Sequence, residues 1–266
     1  MNNFGVFYTC YTEFNAVKYS LEVLYKIYEE VKVLLISDGG LDYKELEYQF
    51  PKLKTLKEED SRGLIPKIPP DKFEEDYWQK VIKSSIEVFL QRINKAIEYC
   101  EHPQFMLIME PDVLVRNSFT ILAKTKLLGT AINSGFSKEL RTLLQNTPNA
   151  VDNNNWGAVP PIFETESFLK AYNNLIDNPE LFDKMCSSDW RIANYDMLLP
   201  VMFNLIGLRE EFNPEIVECF RDSNWENSWH PIVHQYRAKY PLKSEGYNGT
   251  HVNHQFGLGD TWLWNR

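Results

Sequence analysis

The sequence predicts an α/β fold: a mostly parallel central sheet flanked by helices, in a single domain spanning 1–266. Three observations carry this. Phe105–Met109 is a run of five apolar residues, too short for a helix of its own and suited to a strand buried on both faces. Gly5–Tyr11, Phe14–Glu30 and Val31–Ile36 give strand, helix and strand within about 30 residues, the length of a βαβ unit with a parallel pair. A long amphipathic segment, Tyr77–Tyr99, then leads into the Phe105 strand, with Val81, Ile82, Ile86, Phe89, Leu90, Ile93 and Ile97 on one face.

The first strand is rich in valine and aromatics and runs into the polar Thr9, Thr12 and Glu13. The helix after it places Val17, Leu21, Leu24 and Ile27 at helical spacing, and the second strand ends at Ser37-Asp38-Gly39-Gly40. Tyr43–Lys72 carries Pro51, Pro66, Pro69 and Pro70 and reads as a connection with a short strand near Leu53–Leu56. Leu127–Ile132 is a further strand. Arg141–Asn155 is polar and asparagine-rich, and is expected to be a mobile loop. Trp156–Ile162 follows, then a helix over Glu166–Ile176. A polar approach at Ser188–Ala193 precedes a helix over Tyr195–Ile206, which Gly207 closes. From Phe220 onward the chain is loop-like and aromatic, with Trp225, Trp229, Trp262, Trp264 and four of the histidines.

Composition narrows the function classes. The 266 residues are 44% hydrophobic and 24% charged, ordinary for a globular protein able to bury a sizeable core. Net charge is −9 with both signs interspersed, and no basic run or arginine-rich face argues for nucleic acid. Cys10, Cys100, Cys186 and Cys219 are scattered without a Cys-x-x-Cys pair, as in a protein of a reducing compartment. The first residues lack a basic stretch followed by an apolar one, and no run of about 18 apolar residues occurs, so a cytoplasmic protein without a membrane span is expected.

The chemistry is expected where the Phe105 strand stops, at Glu110-Pro111-Asp112. Proline forbids a ladder hydrogen bond and biases Glu110 toward extended backbone. Carboxylates two residues apart on extended chain point the same way. A buried strand thus delivers paired negative charges at its carboxyl end, where open α/β sheets place ligands. A hard divalent cation, manganese or magnesium, relieves the repulsion and in turn favours a diphosphate.

In order and spacing, Asn3–Tyr240 resembles the GT-A fold of nucleotide-sugar-dependent glycosyltransferases. The matching features are the strand Phe4–Tyr11, the Ile36-Ser37-Asp38-Gly39-Gly40 strand end, and Glu110-Pro111-Asp112 at the Asp-x-Asp position with Glu replacing the first Asp. Trp156-Gly157-Ala158, Tyr195-Asp196 opening a helix, and a late histidine complete them. The resemblance implies a nucleotide-binding half, 1–117, and an acceptor-binding half with a C-terminal tail, 118–266. It implies a nucleoside-diphosphate-sugar donor, a glycan or glycoconjugate acceptor, and a metal held by Glu110, Asp112 and His234.

Within that frame Thr9, Cys10 and Tyr11 would line the nucleotide pocket, Tyr11 either stacking on the base or serving as core. Asp38 either accepts from a base or ribose or caps a turn before two glycines. Trp156 and Gly157 would shape the sugar pocket, since indoles stack on sugar C–H faces and glycine admits close approach. A direct-displacement, inverting transferase, expected ahead of a retaining one in which neither Asp196 nor Asp189 need be a base, needs a base for the acceptor hydroxyl. Asp196, where the helix dipole favours an ionised group, is the first candidate and Asp189 the second; an ordinary helix-end carboxylate is the bland alternative for both. His230 and His234 precede Arg237 and Lys239, which suits a phosphate or metal; His251 and His254 form another pair, and zinc held by all four histidines is a weaker option. Arg92 on the long helix either turns toward the diphosphate or is solvated, and solvation is the expectation.

Other classes fit less well. A Gly-x-Gly-x-x-Gly turn is missing after the first strand, as are a P-loop and the Gly-rich, basic loop of a sugar nucleotidyltransferase. Glycosidase carboxylates flank a bond at about 5 to 9 Å rather than standing two residues apart at one strand end. A non-catalytic carbohydrate- or partner-binding protein on the same scaffold remains the competitor, because one fold hosts many functions.

Overall fold

Strands β1 (Phe4–Cys10), β2 (Val33–Asp38), β3 (Leu53–Glu58), β4 (Phe105–Met109), β5 (Leu127–Ile132) and β6 (Trp156–Glu164) form a six-stranded sheet in the order β3-β2-β1-β4-β6-β5. The computed structural model describes residues 3–10, 14–58, 75–110, 115, 117–132, 135–153, 156–193 and 195–209. Strands β1 to β4 pair in parallel, whereas β6 runs antiparallel to both β4 and β5. The sheet is thus mostly parallel, as expected, with one reversed strand.

Alternation explains the continuous apolar runs. Phe7, Met106 and Ile108 face one side of the sheet with residues of α2 (Glu75–Tyr99), α4 (Thr165–Asp177), α5 (Pro179–Ser188) and α6 (Tyr195–Leu205). Val6, Tyr8, Phe105 and Leu107 face the other side with Val17, Leu21 and Leu24 of α1 (Phe14–Ile27). A strand covered on both faces has no polar side, so β1 and β4 are buried at every position. Where the end of α2 meets β1, Gly5 leaves room: a Cβ there would stand 2.6 Å from Cys100 Cβ.

The α2 stripe falls largely as the periodicity requires, with Ile82, Ile86, Phe89, Leu90, Ile93 and Ile97 buried and Val81, expected with them, only partly so. Two expectations need correction. The segment expected to be a mobile loop over Arg141–Asn155 begins inside a helix, α3 (Lys138–Asn146). Ser137 caps it by accepting from the Leu140 amide, and Leu140 and Leu144, one turn apart, are buried. Arg92 is not solvated; it is 1% exposed and ion-paired, because it falls on the core-facing stripe beside Phe89 and Ile93. Helix α5 was not anticipated, although Pro179 at its first turn is a helix-start signal. Among the described residues no helix is long and apolar enough to cross a membrane.

Candidate functional site

Parallel strands β1, β2 and β4 end side by side, and of the expected site residues Thr9, Cys10, Asp38 and Glu110 stand there. Cys10 is in register with Ser37, and Tyr8 with Met109. Thr9 and Cys10, the last residues of β1, therefore stand between Asp38 at the end of β2 and Glu110 just beyond β4. Because β6 runs the other way, its first residues begin at this same edge: Trp156 pairs with Ile132 and Gly157 with Ala131. Tyr11, Asp112 and His234 lie outside the described residues, as do the tail tryptophans and the other late histidines.

Glu110 is half-buried, and its carboxylate is electrostatically coupled to Asp196 in the first turn of α6. Sequence reasoning put both residues in the site without placing them together. The Asp196 carboxyl is pushed up to about 7, first because burial disfavours its charged form and second because the Glu110 carboxylate repels it. Amide hydrogen bonds from Met197 and from its own backbone pull the other way but do not prevail. Its Oδ1 is buried without a hydrogen-bond partner among the described residues. The α6 dipole, expected to keep this group ionised, is outweighed. Tyr195 in turn lies parallel to Phe89 of α2, with ring centroids 5.6 Å apart, which fixes the start of α6 against the core.

Asp38 is fully enclosed. The Arg92 Nη2 approaches its Oδ1 at 2.6 Å, while Arg92 Nε donates to Glu58 Oε2 at 2.8 Å. Lys95 holds the other Glu58 oxygen at 2.7 Å. Burial alone would push the Glu58 carboxyl up, but Lys95 and Arg92 outweigh it and the group lies below its ordinary value. The importance of Arg92 was legible only in its helical position; nothing in the sequence names its partners.

Asp189 is held differently. At the end of α5 its Oδ1 accepts from the Arg191 amide at 3.1 Å and Nε at 2.9 Å. Its Oδ2 accepts from Arg191 Nη2 at 2.6 Å and the Ser137 amide at 3.2 Å. Burial opposes ionisation here too, yet these donors win and the carboxyl lies below the usual range. With both oxygens engaged, Asp189 joins the approach to α6 to the start of α3. Among the described residues no three His, Cys, Asp or Glu side chains converge to hold a metal.

No protein-family model and no curated protein matches the chain. Among solved structures it is similar to an active-site mutant of LgtC, at 11% identity over 77% of this chain and 72% of that one, with a TM-score of 0.46. It is similar to the galactosyltransferase LgtC in complex with donor and acceptor sugar analogues, at 8% identity over 92% and 99% of the two chains, with a TM-score of 0.42. The bifunctional glycosyltransferase WbbM, in its apo form, matches at 10% identity over 80% of this chain and 39% of that one, with a TM-score of 0.39.

Proposed function

We propose that this protein is a glycosyltransferase that moves a sugar from a nucleoside-diphosphate-sugar to a glycan or glycoconjugate acceptor. The observation that carries the reading is a buried carboxyl, Asp196, coupled to Glu110 at the carboxyl end of a mostly parallel sheet and pushed up to about 7. A general base works best when its pKa lies near the operating pH. An ordinary surface carboxylate lies several units too low to take a hydroxyl proton efficiently.

In this reading Asp196 accepts the proton of the acceptor hydroxyl as that oxygen attacks the anomeric carbon. The bond from that carbon to the diphosphate breaks, and its electron pair leaves with the nucleoside diphosphate. One displacement inverts the anomeric centre. Asp189, whose oxygens are already engaged by Arg191 and Ser137, then orders the approach to α6 and takes no proton.

Among the described residues no cationic side chain enters the balance that raises Asp196, so the positive charge of a divalent cation at Glu110 would relieve the repulsion. Glu110 and Asp112, with His234, are the residues that would hold such an ion, whose charge favours departure of the diphosphate. Thr9, Cys10 and Tyr11 would form the nucleotide wall, and Trp156 and Gly157 the sugar side.

Calorimetric titration of a nucleoside-diphosphate panel with and without manganese, on wild type and Asp112→Ala, tests the reading. One diphosphate binding only with both metal and Asp112 is expected. An Asp196→Asn variant should bind that diphosphate normally and fail to turn over the matching sugar donor. Binding that ignores metal and Asp112, or no binding at all, would leave the carbohydrate-binding alternative in its place.

A further inference from the structure

One guanidinium joins the ends of two neighbouring strands. Asp38 and Glu58 are the last residues of β2 and β3 and are register partners. Arg92 reaches Asp38 through Nη2 at 2.6 Å and Glu58 through Nε at 2.8 Å, using two arms of a rigid fork. Gly39 follows at φ +71°, a conformation that favours glycine. Its amide donates to Glu58 O at 2.7 Å and Ser37 O at 3.1 Å. The chain leaving β2 is therefore tied by side chain and backbone to the end of β3.

Asp38 is 0% and Arg92 1% exposed, so neither meets a ligand from solvent directly. What they hold does: the part-exposed Gly39-Gly40 turn stands beside Cys10, at the edge where the nucleotide is placed. Buried ion pairs are often no more stabilising than apolar side chains of similar volume, so stability alone is a weak reason for three charges here.

We propose that Arg92 is a positioning residue of the nucleotide pocket. It sets the β2 and β3 ends so that the turn at Gly39 forms the wall against which the donor's nucleoside docks. This rests on the glycosyl-transfer reading. It assigns Arg92 and Asp38 to nucleotide affinity rather than to turnover.

The test compares Arg92→Lys, Arg92→Met and, as a stability control, Leu175→Ala in the buried face of α4. Each is titrated with nucleoside diphosphates plus manganese, melted, and assayed for kcat at saturating donor. A lysine offers one nitrogen and cannot span both carboxylates as the fork does, so Arg92→Lys should weaken nucleotide affinity about tenfold or more while kcat stays within about twofold. Leu175→Ala, with an equal or larger fall in Tm, should leave affinity within about twofold. Should Arg92→Met not fold, Arg92→Lys carries the comparison. Equal affinity changes in Arg92→Lys and Leu175→Ala, or a lower Tm in Arg92→Lys with unchanged affinity, overturns the proposal. A wild type that binds no nucleoside diphosphate at all removes the glycosyl-transfer reading, and the proposal with it.

Discussion

Replacing Asp196 by asparagine should make the metal-free protein more stable at alkaline pH while abolishing transfer. The folded carboxyl takes its proton near 7, against about 3.8 for an ordinary aspartate. Between those values the native state holds a proton that the unfolded chain has released, so unfolding becomes easier as pH rises. The stability that protonated Asp196 retains is full below about pH 4, is lost through the window up to 7, and levels off above it. A span of about three pH units at about 1.4 kcal/mol each gives roughly 4 kcal/mol in all, of which about 2–3 kcal/mol falls between pH 5 and 8. For a chain of this size that is about 5–10 °C in Tm. Melting curves in chelator from pH 5 to 8 should therefore fall more steeply for wild type than for Asp196→Asn. Glu110→Gln removes the second cause of the shift, so its window should move down in pH. Parallel curves for wild type and Asp196→Asn would refute the placement of this carboxyl. A transfer activity lowered less than about a hundredfold in Asp196→Asn would refute its role as base.

Asp189→Asn weakens the Arg191 clamp and should cost about 2 kcal/mol at pH 7, the range for hydrogen bonds to a charged group. Because that carboxyl lies below its ordinary value, its contribution is present above the unfolded pKa and fades as pH falls through the folded one; urea titrations at pH 7 and 3 check the sign. Phe89→Leu loses ring contacts to Tyr195 and Phe7. It should cost about 1–2 kcal/mol and slow turnover severalfold with nucleotide affinity unchanged, since Tyr195 precedes the base; steady-state kinetics separates the two. Gly5→Ala drives a methyl to 2.6 Å from Cys100 Cβ and should destabilise by about 1–3 kcal/mol; Cys100→Gly in the same chain should restore much of the loss in a thermal melt.

Much of the sheet was legible because a strand buried on both faces leaves a run that little else explains. Phe105–Met109 and Leu127–Ile132 match β4 and β5 at both ends. Val31–Ile36 was two residues early, since Ser37 and Asp38 are polar yet buried and still pair with β3. Helix α3 was hidden by its short length and by the asparagine-rich stretch that follows it, although the leucines at one-turn spacing and the Ser137 cap were there to be weighed. The site was legible as a set of residue types and only partly as an arrangement. That Glu110 and Asp196 feel each other's charge depends on where α6 packs, which no local pattern encodes. The partners of Arg92 likewise come from strands remote in sequence.

The position of β1 also bears on how the chain is made. This strand lies inside the sheet and is made before both of its neighbours, and one of its two edges waits for β4, whose Phe105 pairs with Phe4. When β4 arrives, its own free edge stays bare until β6 pairs Ile162 with Leu107. Pairings this remote close slowly, and an uncovered apolar strand edge invites pairing with another chain. A fragment truncated near residue 117 should therefore aggregate rather than fold as a separate nucleotide-binding unit, and the nascent chain should be most vulnerable while the stretch between β4 and β6 is being translated.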